Sequence, residues 1–252
     1  MKNIVIFTAK DYMLLFDSWC EFVDKAKENY RIKAIFVFPN AMKDKNGFAI
    51  YLEYLKILGI KDFLRLALRT LSAKAKNKRY ADFDDLGKKN NVPVFYKKNP
   101  NQKDAVKWVE ENEIDVGLIS FDYILKEPIL GAFKLCVINK HSSLLPAFKG
   151  LWSVFWTMYH NADIGVTLHR VDKKVDTGEI LLQKKYDLKH LKTVVDVYDV
   201  IYKEVADLFI RALNNLETGE RQIAEHKQEP SYFSLPTRAQ YKNFREKGLR
   251  FA

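Results

Sequence analysis

Two short segments carry residue types that could do chemistry together. The first is Asn139-Lys140-His141-Ser142-Ser143-Leu144-Leu145-Pro146, which follows an apolar run; the second is Val175-Asp176-Thr177-Gly178, between two apolar runs. Residues two apart on an extended strand project the same way, so Asn139 and His141 would stand side by side at a strand's carboxyl end. A tight loop at 175–178 could return the Asp176 carboxylate to the same place. Acyl transfer to an amine needs donors for a developing oxyanion, a group that handles protons, and a group that orients it. An amide, an imidazole and a carboxylate fill those roles. Each also has an ordinary structural use: a His after a strand commonly makes a structural hydrogen bond, and Asp-Thr-Gly is a common turn.

The elements that must position these residues are short apolar runs at 3–8, 32–38, 92–96, 115–120 and 135–139, rich in Val, Ile and Phe. Such runs suit parallel strands buried on both faces. Helical stretches are expected between them, at 12–28, 48–72, 80–90 and 101–112. The alternation predicts an α/β fold: a Rossmann-like, mostly parallel sheet with helices on both faces. Ligands in such sheets sit beyond the carboxyl ends of the strands, here just after 7, 38, 120 and 139. From 164 onward, IGVTLHRV and EILLQKKY read as two strands joined by 172–178. A helix from about 194 to 215 follows, with Thr193 and Asp196 at capping-box spacing and an apolar stripe through Val194, Val197, Ile201, Val205, Leu208 and Ala212. Gly219 marks its stop. A catalytic domain over 1–219 and a short C-terminal extension over 220–252 are expected.

The chain has 252 residues, 48% of them apolar, which is enough for a sizeable core and argues against global disorder. Cys20 and Cys136 are too few for a disulfide framework and read as thiols in a reducing compartment. The start MKNIVIFTAK reads as a first strand and not a signal peptide, and no apolar run is long enough to span a membrane, so a cytoplasmic protein is expected. The 42 Lys and Arg against 32 Asp and Glu give +10, which favours anionic partners without choosing among them. No metal-ligand cluster and no DNA-binding pattern accompanies the charge. Ile57, Ile60, Leu64, Leu68 and Leu71 repeat at helical spacing, interleaved with Lys61, Arg65 and Arg69 and followed by Lys74, Lys76, Lys78 and Arg79. The plain reading of 56–79 is a helix packed on the sheet by that apolar face, then a solvated basic loop. The other is a basic amphipathic surface for a membrane or for substrate phosphates.

NKHSSLLPAFKG followed by GVTLHRVDKKVDTGEILLQ closely resembles the core signature of the 10-formyltetrahydrofolate-dependent formyltransferases. ISFDYILKEPIL at 119–130 resembles the family segment beside the pterin, and the likeness runs from about 92 to 215. The resemblance implies Asn139, His141 and Asp176 as the catalytic trio. It also implies a slot for the 10-formyltetrahydrofolate cosubstrate lined by Phe121, Tyr123, Ile124, Leu125, Asp172, Val175 and Gly178, with no metal. His169 matches a family position and is read as structural. Ser142 stands where the family usually has Pro, which would loosen the loop, and Glu127-Pro128 displaces the Pro of the pterin turn.

Family members differ in the amine they formylate. Glycinamide ribonucleotide transformylases open with a Gly-rich phosphate loop, whereas here the first strand ends Phe7-Thr8-Ala9-Lys10-Asp11. Methionyl-tRNA formyltransferases carry a C-terminal barrel, for which 220–252 is too short, so tRNA is not the expected acceptor. The best resemblance is to the amino-sugar N-formyltransferases of surface-polysaccharide (lipopolysaccharide, O-antigen) synthesis, which act on nucleotide-linked sugars. The alternatives are a methionyl-tRNA formyltransferase-like enzyme lacking its appendage, or a formyltetrahydrofolate hydrolase. Lys10, Lys149 and Trp152 are the candidate substrate contacts, although Trp152, Phe155, Trp156 and Tyr159 also suit a core-facing helix. By resemblance alone a homodimer is expected, with no membrane span and peripheral membrane contact left open.

Overall fold

The computed structural model of the protein describes residues 1–42, 45–76 and 79–252. Its main sheet has seven strands: β1 (Asn3–Ala9), β2 (Arg31–Phe38), β3 (Val94–Tyr96), β4 (Val116–Ser120), β5 (Cys136–His141), β6 (Ile164–Arg170) and β7 (Ile180–Tyr186). Their spatial order is β7-β6-β5-β4-β1-β2-β3. The five strands from β3 to β5 run parallel; β6 pairs antiparallel with β5, and β7 antiparallel with β6. β1 has β2 on one side and β4 on the other, so the chain switches direction across the sheet there and leaves a crevice beyond the strands' carboxyl ends. The expected mostly parallel sheet is the observed one, and each predicted strand falls within two residues of its place.

The continuous apolar runs are explained by burial on both faces. Ile4 and Ile6 of β1 enter one core, Val5 and Phe7 the other. The larger core is covered by α1 (Leu15–Ala26), α2 (Phe48–Lys76), α3 (Phe83–Asn90), and further on by α6 (Ser153–Tyr159), α7 (Val194–Tyr202), α8 (Val205–Thr218) and α9 (Arg238–Glu246). The smaller core lies under α4 (Lys103–Glu111) and α5 (Glu127–Gly131).

Two helical expectations change in detail. The helix expected over 194–215 is two, broken at Lys203 and Glu204, although its stripe is continuous: Val194, Val197, Ile201, Val205, Leu208 and Ala212 are all buried. Thr193 caps it by accepting from the Asp196 N–H, while the Asp196 carboxylate turns away to Arg69. Gly219 ends it in the left-handed conformation that glycine adopts without strain.

The second change is larger. α2 bends at Gly59, whose φ is 74°, and buries Ile57, Leu58 and Leu66, whereas Ile60, Leu64, Leu68 and Leu71 are exposed. Ile57 packs inward as expected, but the apolar repeat beyond Gly59 does not pack on the sheet. The side turned inward carries Asp62, only 2% exposed, which accepts from Tyr241 and pairs with Arg65 and Arg245. Lys78 and the side chains of Lys74 and Lys76 lie outside the described residues; Arg79 pairs with Asp24.

Residues 220–252 fold back on the rest. Tyr232–Phe233 pairs with Lys149–Gly150, Trp156 donates to the Ser234 carbonyl, and Tyr241, Phe244 and Phe251 are buried in the larger core.

The loop after β6 returns to it so closely that a Cβ at Gly178 would lie 1.8 Å from the Arg170 carbonyl oxygen. Gly131 in α5 has open space around it. Gly178→Ala is therefore expected to destabilise the protein by about 2 kcal/mol or more. Gly131→Ala should be neutral or stabilising by up to about 1 kcal/mol. Urea unfolding of the two variants checks both, and equal stabilities would refute the packing argument.

Candidate active site

β5 and β6 set the site by register. Asn139 lies directly opposite His169, and His141 opposite Thr167. Directly paired residues share a face, so the Asn139 amide reaches the His169 ring, 3.2 Å from Nδ2 to Nε2. The other His169 nitrogen, Nδ1, donates to the Arg170 carbonyl at 2.8 Å. Nε2 faces both the Asn139 amide and Asp176 Oδ1, 3.5 Å away. The second Asn139 N–H and its carbonyl oxygen are left for the crevice, where the residue is half-buried.

The loop 172–178 brings in the carboxylate. Asp172 closes the loop by accepting from the Lys174 N–H and the Thr177 hydroxyl. Asp176 sits in the left-handed region, φ 52°, a conformation that a non-glycine residue holds only under local constraint. Its side chain is 9% exposed and lies 3.5 Å from His141 Nδ1 and 3.5 Å from His169 Nε2, and it accepts from the Gly150 N–H at 2.8 Å. Burial opposes its charge, but His141, the bond from His169 and the Gly150 N–H together hold its pKa well below the usual carboxylate range.

His141 donates through Nε2 to the Phe148 carbonyl at 2.8 Å, which leaves Nδ1 facing Asp176. Burial pushes its pKa down, and Asp176 and the Phe148 carbonyl offset part of that. A proton added to the ring goes to Nδ1, where it faces a carboxylate. The structure thus brings Asn139, His141 and Asp176 together, with His169 orienting the first and last of them.

On the smaller-core side, Leu125 is buried, Phe121 and Tyr123 pack around Phe38, and the Tyr123 hydroxyl donates to the Pro39 carbonyl. Ile124 and Val175 keep 66% and 38% of their surface exposed. Lys173 pairs with Glu127 at 3.1 Å, so the loop 172–178 and the turn before α5 stand next to each other. An apolar wall of this kind suits a flat heterocycle.

Strand alternation sends Lys140 to the opposite side, and here the sequence reading missed a second set of groups. The Lys140 ammonium is buried, donates to Ser142 Oγ at 2.9 Å and Tyr202 OH at 2.6 Å, and lies 4.0 Å from the Tyr202 ring centre. Desolvation lowers its pKa to about 7, against the pull of Asp122 and Asp11. The Asp122 carboxyl is pushed up to about 6 by desolvation, partly offset by Lys140, although the residue keeps contact with solvent. Asp11 is also raised by burial, although its carboxylate accepts from the Met13 and Leu14 N–H groups. Tyr54 and Tyr198 face the same charges. Asp122 feels Asp176 as well, so this cleft adjoins the trio. The available signal was Lys140 itself, a lysine inside an otherwise buried strand, and the helical spacing of Tyr198 and Tyr202.

Ser142 does not loosen its loop: it is buried and receives Lys140. Of the substrate candidates, Trp152 is 9% exposed, packed against Phe251 and Tyr54. Lys149 is half-buried beside Gly150, and Lys10 is exposed with its ammonium over Tyr96. Among the described residues, no group of three or more His, Cys, Asp or Glu could hold a metal ion, and no helix is long and apolar enough to cross a membrane.

Residues 67–213, more than half of the chain, match the family described as formyl transferase. The chain belongs to the formyl transferase family. It is similar to the methionyl-tRNA formyltransferase of Borrelia recurrentis, 33% identical over 135 residues, which are 52% of this chain and 43% of that protein. The chain thus spans about half the length of the curated relatives it matches. Among solved structures, it is similar to phosphoribosylglycinamide formyltransferase from Anaplasma phagocytophilum (TM-score 0.61, 16% identity, covering 92% of this chain and 97% of that one). It is also similar to the N-formyltransferase from Helicobacter canadensis in complex with folinic acid and dTDP-3-aminofucose (TM-score 0.57, 20% identity, covering 93% and 71%). At these identities the solved structures share the fold.

Because the Lys140 charge lowers both Asp11 and Asp122, Lys140→Met should raise both carboxyl midpoints, that of Asp122 above about 6 by on the order of one pH unit. Carboxyl-carbon NMR titration reads the shift directly. An unmoved Asp122 would mean that Lys140 does not govern the cleft.

Proposed function

We propose that the protein is an N-formyltransferase that moves the formyl group of 10-formyltetrahydrofolate to the amine of a nucleotide-linked amino sugar. The observation that carries this reading is that Asn139, His141 and Asp176 stand between two unlike walls. One is apolar, with Ile124 and Val175 exposed; the other is the cleft of Asp11, Asp122, Lys140 and three tyrosines. The first suits a pterin. The second offers carboxylates to an ammonium and hydroxyls to a polyol, as an amino sugar requires.

In this reading the amine adds to the formyl carbon, forming a C–N bond, and tetrahydrofolate departs as the bond to its nitrogen breaks. The free N–H of Asn139 faces the oxygen that gains charge. Asp176, kept ionised, holds the imidazole and assists removal of the amine's proton, which His141 Nδ1 receives and passes to the tetrahydrofolate nitrogen as the bond to it breaks.

Two observations bear on the acceptor. The Met13 and Leu14 N–H groups, where a phosphate would bind after the first strand, are already taken by the Asp11 carboxylate. That weighs against glycinamide ribonucleotide. The Helicobacter canadensis enzyme, in complex with folinic acid and dTDP-3-aminofucose, shares the fold over 93% of this chain, which supports a sugar-nucleotide acceptor.

The test is to incubate the protein with 10-formyltetrahydrofolate and a panel of nucleotide-linked 3-amino and 4-amino deoxysugars, glycinamide ribonucleotide, initiator methionyl-tRNA, or no acceptor. Tetrahydrofolate release and product mass are followed together. Release that depends on a sugar, with the sugar one formyl unit heavier and the rate cut roughly 10²- to 10⁴-fold by His141→Ala, is the expected result. Reaction with the tRNA alone would replace the acceptor, and release without acceptor would make the enzyme a hydrolase.

A further inference from the structure

α2 is built the wrong way round for a helix that packs only on its own protein. Beyond the break at Gly59, its inner side carries Asp62, Leu66 and the half-buried Arg69. Its outer side carries Ile60, Leu64, Leu68 and Leu71, which are 68%, 55%, 67% and 68% exposed. At about 100° per residue, these four side chains fall within an arc of about 80° that points away from the buried side. The result is a continuous apolar ridge facing outward, not a scatter of single exposed leucines.

The charge around the ridge is mostly of one sign. The sequence 48–76 holds Lys56, Lys61, Arg65, Arg69, Lys74 and Lys76 against only Glu53 and Asp62, within a chain of net charge +10. Arg65 is paired with Asp62 and Arg69, on the inner side, with Asp196 and Asp199, so among the described side chains the lysines carry the outward charge. Asp62 is buried and tied to Arg65, Arg245 and Tyr241, so it offers nothing outward. Lys56 and Lys61 are exposed, and Lys61 flanks the ridge one residue after Ile60. A second copy of the helix, laid parallel or antiparallel, would set lysines against lysines with no flanking acid to pair them. A surface that is apolar beneath and anionic above complements both features at once.

We propose that the outer face of α2 docks on an anionic phospholipid bilayer. Ile60, Leu64, Leu68 and Leu71 enter the boundary between headgroups and acyl chains, and the lysines beside them meet lipid phosphates. The helix lies in the interface and does not span it. This rests on the ridge and its charge and is independent of the formyl-transfer reading.

The test is co-sedimentation of the full chain with vesicles of phosphatidylcholine, alone or mixed with phosphatidylglycerol, paired with light scattering of the protein in solution. Binding to the mixed vesicles should exceed binding to the neutral ones by about tenfold or more. Added salt should weaken it, as should Lys61→Glu. The double variant Leu64→Gln/Leu68→Gln should lower it by a similar factor while leaving the thermal unfolding midpoint unchanged, because both side chains are solvent-facing. If that variant did unfold, Lys61→Glu and the salt series would still decide the matter. Equal or absent binding to the two vesicle types would overturn the proposal. So would a dimer in solution that the double variant dissociates, which would make the occupant a second copy.

Discussion

The Asp176 carboxylate is the group around which the site is assembled. It is ionised, 9% exposed, and held under a left-handed backbone, three conditions that each cost free energy and persist only if the surroundings impose them. Three separate elements do so. β5 supplies His141, β6 supplies His169, and the short strand Lys149–Gly150 supplies the amide that donates to Oδ2. That strand is itself held by Tyr232–Phe233 from the C-terminal segment. The loop can reach this position because Gly178 lets it pass against the Arg170 carbonyl and Asp172 closes it from within. The charge thus ties together chain segments nearly a hundred residues apart.

The same strand geometry separates two kinds of chemistry. Asn139 and His141 project to one side of β5, and Lys140 between them projects to the other. The trio therefore lies on the boundary of a cleft whose charges are set by Lys140, Asp11 and Asp122. Lys140, whose pKa burial lowers to about 7, is costly to bury, and its ammonium is held there by Ser142 and Tyr202. Ser142 belongs to this arrangement. A proline there could not receive the Lys140 ammonium, so the departure from the family pattern at Ser142 and the lysine at 140 act as one unit.

The sheet could be read from the sequence because strands buried on both faces leave no choice of residue type: β1, β2 and β4 are nearly uninterrupted Val, Ile, Leu and Phe. The trio could be read because its motifs tie residue type to a fixed local geometry. Lys140, Asp122 and Tyr202 could not, since they meet only after three distant segments fold together, and each alone passes for an ordinary polar residue. The break between α7 and α8 was hidden for a related reason: the apolar stripe continues through it, and periodicity records only the stripe.

α2 shows the limit of periodicity most clearly. Spacing says that Ile60, Leu64, Leu68 and Leu71 share a face; it does not say which way that face points. The direction is decided by Asp62 on the opposite side. Its carboxylate, 2% exposed, is held by Tyr241 and Arg245 of α9 and by Arg65, while Arg69 is held by Asp196 and Asp199 of α7. Turning the helix by half a rotation would bury the leucines but would strand Asp62 away from these partners and leave Arg245 and Tyr241 without their acceptor. Leaving the buried Asp62 carboxylate without its partners is costly, so the polar network opposes that rotation, and the C-terminal segment that supplies α9 takes part in orienting the ridge.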